Sequence, residues 1–128
     1  MTQTAADLVA DARSQIREIS PQAFTAHPGS CVLIDVREPA EFDTGHIAGA
    51  VNIPRGVLEF QVDAHPAVAN VSDPALSHKQ QAIVVYCRTG GRSALAALNL
   101  QRMGFSDVRS LSGGITDWAA AGLTLTMR

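Results

Sequence analysis

The sequence predicts an α/β fold built on parallel strands, and three observations carry that prediction. "CVLIDVR" at 31–37 and "AIVVYC" at 82–87 are runs of β-branched and aliphatic residues with almost no alternation, the pattern of strands covered on both faces. Segments with helical spacing stand between and around them. A chain of 128 residues with 46% hydrophobic content is long enough for one ordinary core and too short for two.

Taken in order, Leu8, Ala12, Ile16 and Ile19 recur at helical spacing, with Ala5 and Val9 alongside and charged residues on the other face. This predicts an amphipathic helix packed on the body, with residues 1–16 set apart from a domain at 17–128. Ser20-Pro21 reads as an N-cap followed by proline at the first helical position, opening a short helix that His27-Pro28-Gly29 ends. The strand "CVLIDVR" follows, then "EPAEFD" as a helical turn. "GAVNI" at 49–53 and "DVRSL" at 107–111 repeat the strand signature more weakly. "RSALAALNLQRMG" is a helix apolar nearly all round, closed by Gly104. Residues 56–80 begin apolar and turn-rich stretches follow around Pro66, Asn70 and Asp73-Pro74, which predicts a helix and then a surface excursion.

Composition narrows the function classes. Twelve acidic against ten basic residues, a formal net charge of -2, supply no broad electrostatic reason to bind nucleic acid or an anionic membrane. No apolar run approaches membrane-spanning length, and the start has neither a basic n-region nor a long apolar h-region, so a soluble, unexported protein is expected. Cys31 and Cys87 are too few for a disulfide scaffold, and both are expected reduced in a cytoplasm.

The residues that invite chemistry are "VVYCRTGGRS" at 84–93. In an open parallel sheet, ligands gather outside the carboxyl ends of strands, where Cys87 passes from strand to helix. Thiolates are favoured by unpaired N–H groups of a helix start and by nearby cations. Gly90 and Gly91 allow successive amides to turn inward as an anion-binding nest, Arg88 and Arg92 charge the rim, and Thr89 and Ser93 complete the loop. Other site classes fit poorly. The loop lacks the Gly-Lys-Ser/Thr ending of a nucleotide P-loop, and Leu95 occupies the last place of a Gly-x-Ser-x-Gly elbow. His27, His46, His65 and His78 never pair at metal-ligand spacing, so no zinc site is expected.

At this point the chain resembles the single-domain rhodaneses, which are sulfurtransferases. "LIDVREPAEFDTGHIAGAVNIP" at 33–54, "VVYCRTGGRS" and "GGITDW" at 113–118 carry the resemblance, which covers roughly residues 17–125. It implies a three-layer sandwich around a central parallel five-stranded sheet, with Cys87 as the active cysteine. The family also holds phosphatase and arsenate-reductase relatives, in which the closing arginine comes six places after the cysteine. Here Arg92 comes five places after Cys87, and the shorter ring of amides suits a persulfide better than a phosphoryl group.

The resemblance therefore implies a thiosulfate sulfurtransferase working through a Cys87 persulfide, with a thiol or cyanide as acceptor and no metal or organic cofactor. The donor-binding residues are expected to be Arg88, Thr89, Gly90, Gly91, Arg92 and Ser93. Two roles fit Arg92: donor binding, or pairing with a carboxylate beneath the loop. A persulfide carrier serving a partner protein is the main rival reading, with the amphipathic helix at 5–16 or the 56–80 excursion as docking surface. A Cys-based phosphatase or arsenate reductase is the lesser one.

Several residues are read as structural. Asp35, Arg37 and Glu38 satisfy each other and loop amides at a strand end, with a pocket-wall role for Arg37 as the minor option. His46 is read as hydrogen-bonded to backbone, and Ile115 and Trp118 as packing the last helix on the sheet. Cys31 is read as an inert apolar filler. Leu58, Glu59 and Phe60 are expected to drape near the pocket as an exposed acceptor surface.

Overall fold

The computed structural model describes residues 2–26, 31–62 and 79–127. In chain order it runs α1 (Ala5–Arg13), β1 (Arg17–Ile19), α2 (Pro21–Ala26), β2 (Val32–Asp35), α3 (Pro39–Asp43), β3 (Val51–Asn52), a 3₁₀ turn (Arg55–Val57), α4 (Leu58–Gln61), β4 (Ile83–Tyr86), α5 (Gly91–Arg102), β5 (Val108–Leu111) and α6 (Gly114–Ala120). The strands form one five-stranded sheet in the order β1-β5-β4-β2-β3. Every pairing is parallel, with Ile34 beside Val85 and Ile83 beside Val108 at the centre. Among the described residues no helix is long and apolar enough to cross a membrane.

Burial on both faces explains the continuous apolar runs. All four residues of β2 and of β4 are buried. Val32, Ile34, Ile83, Val85 and Cys87 face one side, against Leu58 and Val62 at α4 and Ala96, Ala97 and Leu100 of α5. Leu33, Val84 and Tyr86 face the other, against Ile115 and Trp118 of α6, with Phe24 of α2 meeting the Trp118 ring edge-on at 5.9 Å. Helices thus cover both sides of the sheet, as parallel strands require.

The N-terminal segment differs from its periodicity. α1 begins where predicted, with a reciprocal capping box between Thr4 and Asp7. It ends at Arg13, so Ile16 lies beyond it, and Ile19 belongs to a strand paired with Leu111. The edge of the sheet takes residues 17–19 because β5 offers their backbone a ladder of partners, and that tertiary gain overrides a local helical spacing. The contact face shifts as well. Ala12 is fully buried against Ala94 and Leu98, with Val9 beside them, whereas Leu8 is 45% exposed.

Further along, Ser20 caps α2 by accepting the Ala23 N–H at 3.0 Å. The expected end of that helix at 27–29 lies outside the described residues, as does the excursion at 63–78. Gly104, at φ +101°, follows α5 as the closing residue. Leu58 corrects the expected exposed surface: it is fully buried, Glu59 accepts from Arg55 and Asn99, and of the three only Phe60 stands in solvent.

Tyr86 ties the sheet to the loop after α3. Its hydroxyl oxygen, buried inside, accepts the Ile47 N–H at 3.1 Å, and burial beside Asp35 pushes its pKa well above the usual phenol value. Tyr86→Phe leaves that amide without its acceptor. It is expected to lower the unfolding free energy by about 1–3 kcal/mol in denaturant titration, and a change too small to measure would mean that water replaces the hydroxyl.

Candidate active site

The carboxyl ends of β2, β4 and β5 converge on one edge of the sheet, and the loop leaving β4 carries Cys87 into α5. The residue is 1% exposed, with its side chain on the α5 face. Gly90 donates its N–H to Sγ at 3.1 Å and Ser93 at 3.4 Å, and the Ser93 hydroxyl lies 3.6 Å from the sulfur. Gly90 reaches this geometry at φ +108°, a backbone region open to glycine. A Cβ there would also stand 3.0 Å from the Arg13 guanidinium of α1.

Burial alone would push the Cys87 thiol up. The amide and hydroxyl of Ser93, then the amides of Gly90 and Thr89, outweigh it and hold the pKa below the ordinary thiol value. Ser93 is held in turn: its hydroxyl oxygen lies 3.2 Å from Gly90 O and 2.8 Å from the buried Ser110 hydroxyl. The amides that reach the sulfur are thus those of Gly90 and of Ser93, near the start of α5.

The two loop arginines separate. Arg88 is exposed and lines a cavity of about 340 Å³ with Arg37, Glu41, Thr44, Ile115 and Thr116. Among the described residues no carboxylate stands within ion-pair distance of it. Arg92 instead grips Glu41 with both nitrogens, Nη1 to Oε1 at 2.7 Å and Nη2 to Oε2 at 3.0 Å. Of its two candidate roles, the carboxylate pairing is the one realised in this geometry. Glu41 Oε1 also accepts the Glu38 N–H at the start of α3, and the Arg92 hydrogen bonds hold its pKa down at about 2. One carboxylate thus joins α3 to the first turn of α5.

Asp35 and Arg37 form a second, deeper pair. Nη2 of Arg37 reaches Asp35 Oδ2 at 2.8 Å, with side chains 6% and 0% exposed, and also donates to Gly45 O at 2.7 Å. Asp35 Oδ1 accepts the Arg37 N–H at 2.9 Å. These groups satisfy each other as the sequence suggested, and Arg37 lines the cavity wall besides. His46 is buried, with Nδ1 3.0 Å from Phe42 O and its ring stacked on Phe42 at 3.7 Å. Trp118 donates Nε1–H to Thr124 O at 2.9 Å from the core of the α6 face.

Cys31 is half-buried and unpaired, its thiol pushed up by burial, partly offset by Arg109. It packs on the α6 face while Cys87 packs on the α5 face, so the sheet stands between the two sulfurs. Among the described residues no group of three or more His, Cys, Asp or Glu could hold a metal ion.

Sequence reasoning missed Glu41, Thr44, Thr116 and Ser110. A signal existed for the last of these: Ser110 is a hydroxyl inside an otherwise buried strand, and a buried polar group needs a partner.

A family model described as the rhodanese-like domain matches residues 20–121. A sulfurtransferase of Allochromatium vinosum is 33% identical over 113 residues, covering 86% of this chain and 94% of that protein. A probable adenylyltransferase/sulfurtransferase of Mycobacterium tuberculosis is 39% identical over 87 residues, 68% of this chain, and the chain spans only 20% of that protein's length. Among solved structures, a Rhodopseudomonas palustris protein of unknown function, described as a possible tyrosine phosphatase, superposes with a TM-score of 0.80 at 28% identity. The match covers 98% of this chain and 96% of the other.

Proposed function

Because the chain belongs to the rhodanese-like domain family, we propose that it is a thiosulfate sulfurtransferase acting through a persulfide on Cys87. The Cys87 thiolate attacks the outer sulfur of thiosulfate, a new S–S bond forms, and the old one breaks with its electron pair leaving on sulfite. A thiophilic acceptor then attacks the outer sulfur of the persulfide. Cyanide departs as thiocyanate, or a thiolate departs as its own persulfide, and the Cys87 thiolate returns. Neither step needs a metal or an organic cofactor. In this reading the working unit is residues 17–128, with α1 packed on it, and two unpaired cysteines suit a reducing, cytoplasmic setting.

The observation that carries the proposal is the sulfur held by the Gly90 and Ser93 amides at a helix start. Those dipoles, with Thr89 and Gly91 in the same turn, favour negative charge on the sulfur before and after it gains a second sulfur atom. Arg88 is assigned to the donor's sulfonate and to the charge departing on sulfite, since it lines the cavity and has no carboxylate partner among the described residues. Arg92 serves the rim through Glu41.

Steady-state release of sulfite and thiocyanate from thiosulfate and cyanide tests the reading, and its absence at any donor concentration counts against it. Arg88→Ala is expected to raise KM for thiosulfate about tenfold with a smaller effect on kcat, and an unchanged KM removes its donor-binding role. A chromogenic phosphate ester should remain intact, because five places between Cys87 and Arg92 leave too short a ring for a phosphoryl group. The carrier reading draws support from the Mycobacterium tuberculosis relative, in which the matched stretch is one part of a longer protein. Single-turnover loading of Cys87 with poor steady-state turnover would favour it.

A further inference from the structure

Two consecutive glycines, Gly113 and Gly114, open α6 with φ of +70° and +58°. What a Cβ would meet differs between them. At Gly113 it would meet the Asp117 side chain of the same helix. At Gly114 it would overlap the Cys87 carbonyl oxygen and stand 2.7 Å from the Arg88 carbonyl carbon and oxygen, backbone atoms that cannot swing aside. That close approach lets Ile115 donate its N–H to Cys87 O at 2.9 Å and Thr116 to Arg88 O at 3.1 Å.

A trans peptide is planar, with its C=O and N–H pointing in opposite directions. Holding the Cys87 and Arg88 carbonyls toward α6 therefore turns the Arg88 and Thr89 N–H groups away from α6. The Cys87 side chain lies on the opposite face of the sheet from α6, among the α5 residues. Building on the reading of Cys87 as nucleophile, we propose that Gly114 is a positioning residue: by letting α6 dock on the Cys87 and Arg88 carbonyls, it turns the Arg88 and Thr89 amides toward the face where the sulfur lies, beside the Gly90 and Ser93 amides that donate to it.

The Thr89 amide belongs to the set that favours the Cys87 thiolate, and its peptide is the one Thr116 holds. α6 thus acts on the sulfur through the backbone of the loop. Its own side chains on this path, Ile115 and Thr116, line the cavity wall.

The test is the pH dependence of Cys87 alkylation by iodoacetamide in the full chain, followed by mass on the Cys87 peptide so that Cys31 does not interfere. Gly114→Ala is expected to raise the alkylation midpoint by about one pH unit, a roughly tenfold loss of thiolate below it. Thiosulfate–cyanide kcat should fall about tenfold with little change in KM, the pattern of a lost transition-state interaction. Gly113→Ala combined with Asp117→Gly is the matched control: it removes every Asp117 side-chain atom the new Cβ would meet, imposes the left-handed cost on α6 without entering the loop, and should keep the wild-type midpoint.

A folded Gly114→Ala chain with the wild-type midpoint overturns the assignment, and so does an equal shift in the control. Should Gly114→Ala not fold, Thr116→Pro decides. It removes the N–H given to Arg88 O, at a first-turn position where the helix itself uses no donor, and Thr116→Ala, which loses the same cavity-wall side chain but keeps the N–H, is its reference; a midpoint raised above that of Thr116→Ala supports the proposal and an unshifted one overturns it. A wild-type chain that takes up no sulfur on the Cys87 peptide when incubated with thiosulfate instead refutes the nucleophile reading, which keeps the two failures apart.

Discussion

Cys87→Ala is expected to abolish sulfite release from thiosulfate, with turnover falling at least about 10³-fold, because the nucleophile is the group on which the reaction is built. The change removes one buried sulfur and leaves the surrounding amides in place, so the chain should still fold. Mass spectrometry of wild-type protein incubated with thiosulfate should find one added sulfur on the Cys87 peptide, and none in the variant. Retained sulfite release by a folded Cys87→Ala chain would overturn the assignment.

The same pair of proteins carries a pH signature. The folded thiol pKa lies below the unfolded one, since the amides of Ser93, Gly90 and Thr89 prevail over burial. Such a group contributes stability that is complete above the unfolded value of about 8.5 and is lost as pH falls through the folded value. The stability of wild type relative to Cys87→Ala should therefore rise with pH across that window. A flat difference would mean that the sulfur is not a stabilised anion.

Asp35→Ala is expected to cost about 3–5 kcal/mol of unfolding free energy, because it strands the Arg37 guanidinium in the interior. Arg37 is 6% exposed and has Asp35 as its ion-pair partner, and Asp35 is itself fully buried. Against a typical domain stability of about 5–15 kcal/mol the loss is severe. The companion variant that replaces both residues, Asp35→Leu with Arg37→Met, should recover part of the loss, since two apolar groups carry no unpaired charge. Urea titrations of the wild type, the single variants and the double variant measure the coupling. A single-variant cost below about 1 kcal/mol would show that water reaches the guanidinium and the pair is not sealed.

The strands β2 and β4 were legible because each residue reports its own burial: side chains point alternately to two covered faces, so the apolar run is continuous. The loop that holds Cys87 was legible for a similar reason. Its sulfur, glycine turn and hydroxyl are consecutive, and the amides that hold Sγ come from positions 90 and 93. β1 was not legible, because three residues with Ile19 in helical register with Ile16 and Ala12 carry no mark of the strand they will pair with. The split between Arg88 and Arg92 was not legible either, since both stand within five positions of Cys87 and nothing local says which will meet a distant carboxylate.

By itself the sequence determined the α/β class, the strand that delivers Cys87, and the chemistry of the turn that follows, all properties of contiguous residues read through periodicity and backbone preference. Only the tertiary structure decided that Glu41, 51 positions away, takes Arg92, that Ser110 backs Ser93, and that α6 rests on the Cys87 and Arg88 carbonyls. The reason is physical: a chain with 12 carboxylates and 10 cations admits many complementary pairs, and the crossover path of a parallel sheet selects which of them meet.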